Sequence, residues 1–181
     1  LASELALLGI AYADAPMTGG PEQAASAALG VLCGASPETF KSILPVLSCY
    51  ATTIRHMGPV GSGHAAKLIS NFLVTGMIAL VAQAFETARK ADIDWRSLYD
   101  VMLNGSGNSG VLRKMVAPAL DGDFEGYKFS LANAAKDIGY FKALASSLGM
   151  EALLAGAVED VFSAAIAKGH GQRNVSRLLD L

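Results

Sequence analysis

The chain has 181 residues and a net charge of −2. That length suits one ordinary domain, or one domain and part of another, and the charge gives no electrostatic case for nucleic acid or an anionic membrane as a partner. Hydrophobic residues make up 52% and charged residues 17%, which excludes a disordered chain, and the dominance of alanine and leucine favours helices.

Leu1 to Gly9 reads as the end of a helix stopped by glycine. It has no basic n-region and no cleavage-like site, so it is not a signal peptide, and the chain is expected to begin inside a larger protein. Residues 10–14 form a strand candidate that ends at Pro16. Met17-Thr18-Gly19-Gly20-Pro21 follows as a glycine loop with a hydroxyl, a grouping that can grip an anion but is more often a plain turn. A short helical turn over 21–28, a strand over 30–34, a helix capped by Ser36 and running to about Leu47, and a strand over 53–57 complete the first part. This alternation predicts a piece of an open α/β sheet.

The character then changes. Ser62 is the expected N-cap of a helix over 65–91, apolar nearly all round between Phe72 and Phe85. The uninterrupted apolar stretch is short and runs straight into Gln83, Glu86, Arg89 and Lys90. A central helix buried by its own domain or by a second subunit therefore fits better than a membrane span. Further helices are expected over 95–103, from Val111 with a disturbance at Pro118, over 131–148, over 151–168 and over 174–181. Residues 60–181 thus read as an all-helical domain of roughly six helices. Cys33 and Cys49 form no ligand or redox motif and are expected to be two buried thiols in a reducing compartment. His56, His64 and His170 lack partners at metal-ligand spacing, so no metal site is expected.

The stretch that organises these parts is G-P-V-G-S-G-H-A-A-K-L-I-S-N, residues 58–71. Its glycines run GxxGxG, which is not the GxGxxG of a dinucleotide-binding turn. Lys67 and Asn71 are four apart and share one helix face. On these residues alone, a lysine snorkelling to solvent beside a locally bonded asparagine competes with a functional pair.

Three segments together resemble the β-hydroxyacid dehydrogenases, the group of 3-hydroxyisobutyrate dehydrogenase and tartronate semialdehyde reductase. Asp14-Ala15-Pro16-Met17-Thr18-Gly19-Gly20 is similar to their D-A-P-V-S-G-G substrate motif, with threonine for serine. Residues 58–71 are similar to their G-x-x-G-x-G-x-x-x-K-x-x-x-N motif, and Phe129 to Asp137 to their F-x-L…K-D segment. The resemblance implies a mainly α chain in which residues 59–181 form an all-helical domain like that of 6-phosphogluconate dehydrogenase. Residues 1–58 would be the last α/β part of a Rossmann domain. It further implies hydride transfer between NAD or NADP and a small 3-hydroxy acid, such as 3-hydroxyisobutyrate, or tartronate or succinic semialdehyde in reverse.

On that resemblance Lys67 is the general acid/base, Asn71 holds the substrate oxygens, and Thr18, Gly19 and Gly20 grip the substrate carboxylate. Lys136 contacts the cofactor, Asp137 partners a cation or caps, and Asn108 and Ser109 are candidate pocket residues. His64 is left structural. Ser70 stands where 6-phosphogluconate dehydrogenases place a histidine, and retention of Lys67 sets the chain apart from imine reductases. The nearly all-round apolar helix over 72–85 exceeds what a small helical domain would cover, so a homodimer or homotetramer is expected, in the cytoplasm and with no nucleic acid or membrane partner. Without a dinucleotide turn of its own, this stretch of chain is expected to be inactive alone. The alternative reading is a non-catalytic helical dimerisation or interaction module derived from the same family.

Overall fold

Short apolar runs alternating with helix signals become a three-stranded sheet with helices in the computed structural model, which describes residues 1–181. The chain divides into two units, Leu1–Ser70 and Asn71–Leu181. The first contains α1 (Ala2–Leu7), β1 (Met17–Thr18), α2 (Pro21–Ala25), β2 (Leu29–Gly34), α3 (Pro37–Leu47) and β3 (Ala51–Gly58). The sheet order is β1-β2-β3, with β1 antiparallel and β3 parallel to β2. Leu29, Val31 and Cys33 alternate inward along β2, and Leu47 and Ala51 close a small core with Phe40 and Ile43 of α3. Ser36 caps α3 as expected, its hydroxyl accepting the Thr39 N–H at 3.1 Å.

Two expectations fail here. The strand over 10–14 does not form: Asp14 makes only an isolated bridge to Gly34, and the ladder resumes at Met17–Thr18, within the expected glycine loop. Pro16 is the physical reason. It has no N–H to give, yet its carbonyl accepts the Leu32 N–H at 3.1 Å, so the chain stays beside β2 without a continuous ladder. The thiols also differ from expectation, since Cys33 is buried but Cys49 is exposed. Burial, reinforced by the charge of Asp14, pushes the Cys33 thiol up. Cys49 sits beyond the end of α3, where its Sγ lies 3.4 Å from the Pro45 carbonyl.

The helix α4 (Ser62–Lys90) runs through the boundary at Ser70. It begins three residues before the expected start, so Ser62 lies in its first turn and is not the cap. In the second unit follow α5 (Trp95–Asn104), α6 (Gly110–Ala119), α7 (Leu131–Ser147) and α8 (Leu153–Ala167). Ile78, Ala82 and Phe85 of α4 are buried at helical spacing, with Met115 and Val116 of α6, Ile138 of α7 and Phe162 of α8. By length and composition alone α4 could cross a membrane, with a window of mean hydropathy 1.8, of which 28% is buried. The buried stripe is that of a core helix, and Leu73 and Leu80 remain exposed on another face.

The helix expected over 174–181 is only a 3₁₀ turn, Val175–Leu179. Tertiary bonds hold it in that form. The buried Ser176 hydroxyl accepts the Tyr127 N–H at 2.8 Å, and Val175 N–H donates to the Phe129 carbonyl at 2.8 Å. Arg177 Nε and Asn174 Nδ2 each donate to the Glu125 carboxylate at 2.7 Å. The Arg177 guanidinium holds the Glu125 carboxyl below the usual range, with Asn174 adding to the effect.

A depressed folded-state pKa gives stability that is complete above the unfolded carboxyl value, about 4.3, and is lost as pH falls through the lower folded value. Urea midpoints followed from pH 6 to pH 3 should therefore fall less steeply for Arg177→Ala than for the parent protein. Solvent at the half-exposed pair keeps the difference small. Identical slopes would remove this ion pair from the acid sensitivity.

Candidate active site

The site residues expected from the sequence divide between the units: Thr18, Gly19, Gly20 and Lys67 lie in the first, Asn71 and Lys136 in the second. Thr18 ends β1 opposite Gly30, where any Cβ would collide with the Thr18 hydroxyl. Gly19 has φ +114°, a region that suits glycine, and a Cβ there would press on Leu29 and Gln23. The Gly20 N–H is already engaged, donating to Gln23 Oε1 at 2.9 Å as the start of α2 closes on itself. A ligand carboxylate reaching that N–H must displace Gln23, a residue the sequence reading passed over.

The glycine loop before α4 holds no phosphate cradle. Its free amides close on the chain itself: Gly61 N–H donates to Asp14 Oδ1 at 2.5 Å and His64 N–H to Asp14 Oδ2 at 2.7 Å. Asp14 is 3% exposed and is the true cap of α4. No local pattern marks it, because the partners are 47 and 50 residues away. His64 is exposed, with its ring 3.6 Å from the same carboxylate.

Lys67 and Asn71 follow on α4, one turn apart and both half-buried. Asn71 Nδ2 donates to Asp137 Oδ2 of α7 at 2.7 Å, and Asp137 Oδ1 lies 3.3 Å from Lys136 Nζ. Asp137 is thus the link between Asn71 and Lys136, the partner the sequence left open. The spacing of α4 and α7 at this level is set next door by Phe72 and Phe141, whose rings stack at 4.1 Å. One turn further along α4 the buried Thr75 hydroxyl donates to the Asn71 carbonyl at 2.8 Å. The Lys136 ammonium is 52% exposed and lies 5.8 Å from the Tyr140 ring centroid. Asn108 and Ser109 have local work: Asn108 Nδ2 bonds the Leu103 carbonyl at 2.9 Å, and Ser109 caps α6 through the Leu112 N–H at 3.0 Å.

A model of the NAD-binding region of NADP-dependent 3-hydroxyisobutyrate dehydrogenase matches residues 61–181, and one of the NAD-binding domain of 6-phosphogluconate dehydrogenase matches residues 1–58. The chain belongs to the β-hydroxyacid dehydrogenase family. Among β-hydroxyacid dehydrogenase relatives, the L-threonate dehydrogenase of Pectobacterium atrosepticum is 31% identical over 93% of this chain and 55% of its own. The 2-(hydroxymethyl)glutarate dehydrogenase of Eubacterium barkeri is 29% identical over 94% of this chain and 57% of its own. The chain therefore spans less than two thirds of the curated relatives it matches. The structure of Mycobacterium tuberculosis 3-hydroxyisobutyrate dehydrogenase with L-serine superposes with a TM-score of 0.89 at 28% identity, over 99% of this chain and 63% of that one.

Proposed function

We propose that the protein containing this chain is an NAD- or NADP-dependent dehydrogenase of a small hydroxy acid, with Lys67 as its general acid/base. The observation that carries the reading is the placement of Lys67 one turn before Asn71 on α4, with the Asn71 amide anchored to Asp137 at 2.7 Å. A rigid helix and a fixed amide give a proton-transfer group and a hydrogen-bonding group a defined spacing, which is what alcohol oxidation needs beside the hydride acceptor. The dinucleotide, when bound, supplies hydride acceptance or donation. The exposed ammonium of Lys136 is chemically suited to its anionic parts.

In the oxidative direction Lys67 Nζ takes the substrate hydroxyl proton as the carbonyl forms. In reduction it returns that proton to the carbonyl oxygen. Asn71 keeps one amide N–H on Asp137 and offers its second N–H and its carbonyl to the substrate oxygens. Thr18, Gly19 and Gly20 receive the carboxylate, which takes over the Gly20 N–H from Gln23. The named substrates of the relatives, L-threonate, 2-(hydroxymethyl)glutarate and 3-hydroxyisobutyrate, all pair a carboxylate with a hydroxyl, which supports that division of labour.

The assembly we propose is a cytoplasmic homodimer or homotetramer. The exposed Leu73 and Leu80 of α4 and Leu154 of α8 border an apolar groove that includes Gly76, Met77 and Val161, a face better covered by a second copy than by water. The free thiols Cys33 and Cys49 fit a reducing compartment.

The test is dehydrogenase activity of the full-length protein with 3-hydroxyisobutyrate, L-threonate and 2-(hydroxymethyl)glutarate, each with NAD and NADP. Reduced cofactor should form with at least one pair. A full-length protein that binds neither dinucleotide and oxidises none of the three acids would instead be the helical interaction module.

A further inference from the structure

We infer that Asp14 is a positioning residue for the reaction: its buried carboxylate ties the segment leading to Thr18 to the first turn of the helix that carries Lys67. The inference rests on the proposed role of Lys67, and it adds a residue whose part is to fix where that lysine stands.

The geometry is specific. Asp14 lies beside the end of β2, where its N–H donates to the Gly34 carbonyl at 3.0 Å and its carbonyl accepts the Gly34 N–H at 2.8 Å. Its backbone is therefore fixed to the sheet. Its side chain reaches across to α4, where one oxygen takes the Gly61 N–H and the other the His64 N–H. These are two of the donors that a helix N-terminus leaves without an intrahelical partner. A carboxylate there gains charge-assisted hydrogen bonds and a favourable position at the positive end of the helix dipole. Burial makes these donors matter, because a 3% exposed carboxyl that lost them would be left with unsatisfied oxygens and little water to replace the bonds.

The surroundings are cut to fit. A Cβ on Gly34 would collide with the Asp14 carboxylate, and a Cβ on Gly63 would collide with the Leu32 carbonyl and crowd Asp14 Oδ2 at 2.8 Å. Glycine at both positions lets the end of β2, the Asp14 carboxylate and the first turn of α4 meet at backbone contact. From that clamp the two proposed working parts lead off in opposite directions. Ala15 and Pro16 run along β2 to Thr18, four residues on; Lys67 stands four residues, about 6 Å of helix rise, beyond Gly63. Both arms are stiff, one a proline-containing segment bonded to a strand and the other an α-helix. A change at the clamp must therefore alter how the lysine stands relative to the threonine hydroxyl.

The neutral variant Asp14→Asn separates this role from bulk stability. It keeps the volume but replaces one acceptor with an amide N–H₂ that faces a backbone donor. In the full-length protein, with lysine side chains labelled with ¹³C, the Lys67 ε-methylene resonance should shift in Asp14→Asn, while that of Lys90, at the far end of α4, should not. Under conditions where the variant is folded by circular dichroism, kcat should drop about 10- to 100-fold, as expected when a reacting group is misplaced by about 1 Å, with KM for the dinucleotide unchanged. A merely structural cap would lower the melting temperature and leave the Lys67 resonance and the kcat of the folded enzyme alone, and that result overturns the inference. If the parent protein oxidises no hydroxy acid but the Lys67 resonance still responds, the clamp stands and the proposed reaction falls. Should Asp14→Asn not fold, amide exchange in the parent protein decides: Gly61 and His64 must be protected well beyond the neighbouring loop amides, and free exchange at both overturns the clamp.

Discussion

Replacing Lys67 with alanine should lower kcat of the full-length protein by about 10²- to 10⁴-fold, the usual range for removing a positioned general acid/base. The α4 helix makes the change clean. Lys67 is half-buried near the start of α4, ahead of the packed face that begins at Phe72, so alanine, the best helix former, should leave the helix folded. The loss should fall on kcat and on kcat/KM alike, because the proton is transferred in the transition state and contributes little to ground-state binding. Affinity for the dinucleotide should be unchanged. Steady-state kinetics with the best hydroxy acid, together with a fluorescence titration of reduced cofactor, check both halves. A Lys67→Ala protein with undiminished kcat would take the proton transfer away from this residue.

Phe85→Ala should cost about 3–5 kcal/mol of stability, a large share of the 5–15 kcal/mol of an ordinary domain. Phe85 is fully buried near the middle of the helical core, and its ring meets Trp95 of α5 edge-on, with centroids 5.2 Å apart and planes at 86°. The truncation loses the transfer energy of the ring, the edge-to-face contact and the dispersion contacts around the void it leaves. Neighbours on α6, α7 and α8 are themselves close-packed, so collapse into the cavity should be limited. Urea unfolding should show a much lower midpoint with an unchanged m value. A loss below about 1 kcal/mol would mean that the core repacks freely at this level.

What the sequence made legible was periodic or local. The i,i+4 placement of Lys67 and Asn71, the Ser36 cap and the switch from α/β to all-helical character each follow from spacing within a few residues, and the structure has them. What stayed hidden depended on contacts between distant segments. Asp14 caps a helix that starts 48 residues later, so Ser62 was the natural local choice for a cap that is in fact supplied from afar. The link from Asn71 to Asp137 spans 66 residues and needed the α4–α7 contact to appear. The Met17–Thr18 strand was masked by Pro16, whose missing donor suggests a loop although its carbonyl still bonds β2. The last segment has helical composition, but its 3₁₀ form is tied to bonds with the distant Glu125, Tyr127 and Phe129. Gln23 was within reach of local reasoning, since it lies three residues after Gly20, the spacing of a capping box.

The engagement of Gln23 with the Gly20 N–H has a consequence for selectivity. A ligand arriving there does not fill an idle donor; it exchanges one acceptor for another, with the displaced carboxamide returned to solvent. The net gain is then only the difference between two hydrogen bonds. For an ester or an amide that difference is close to nothing, since one neutral carbonyl replaces another. For a carboxylate it is the surplus of an ionic acceptor over a neutral one, roughly a doubling in strength. In the proposed carboxylate site the Gln23 carboxamide would thus act as a threshold, favouring anions over their uncharged derivatives without any repulsive group.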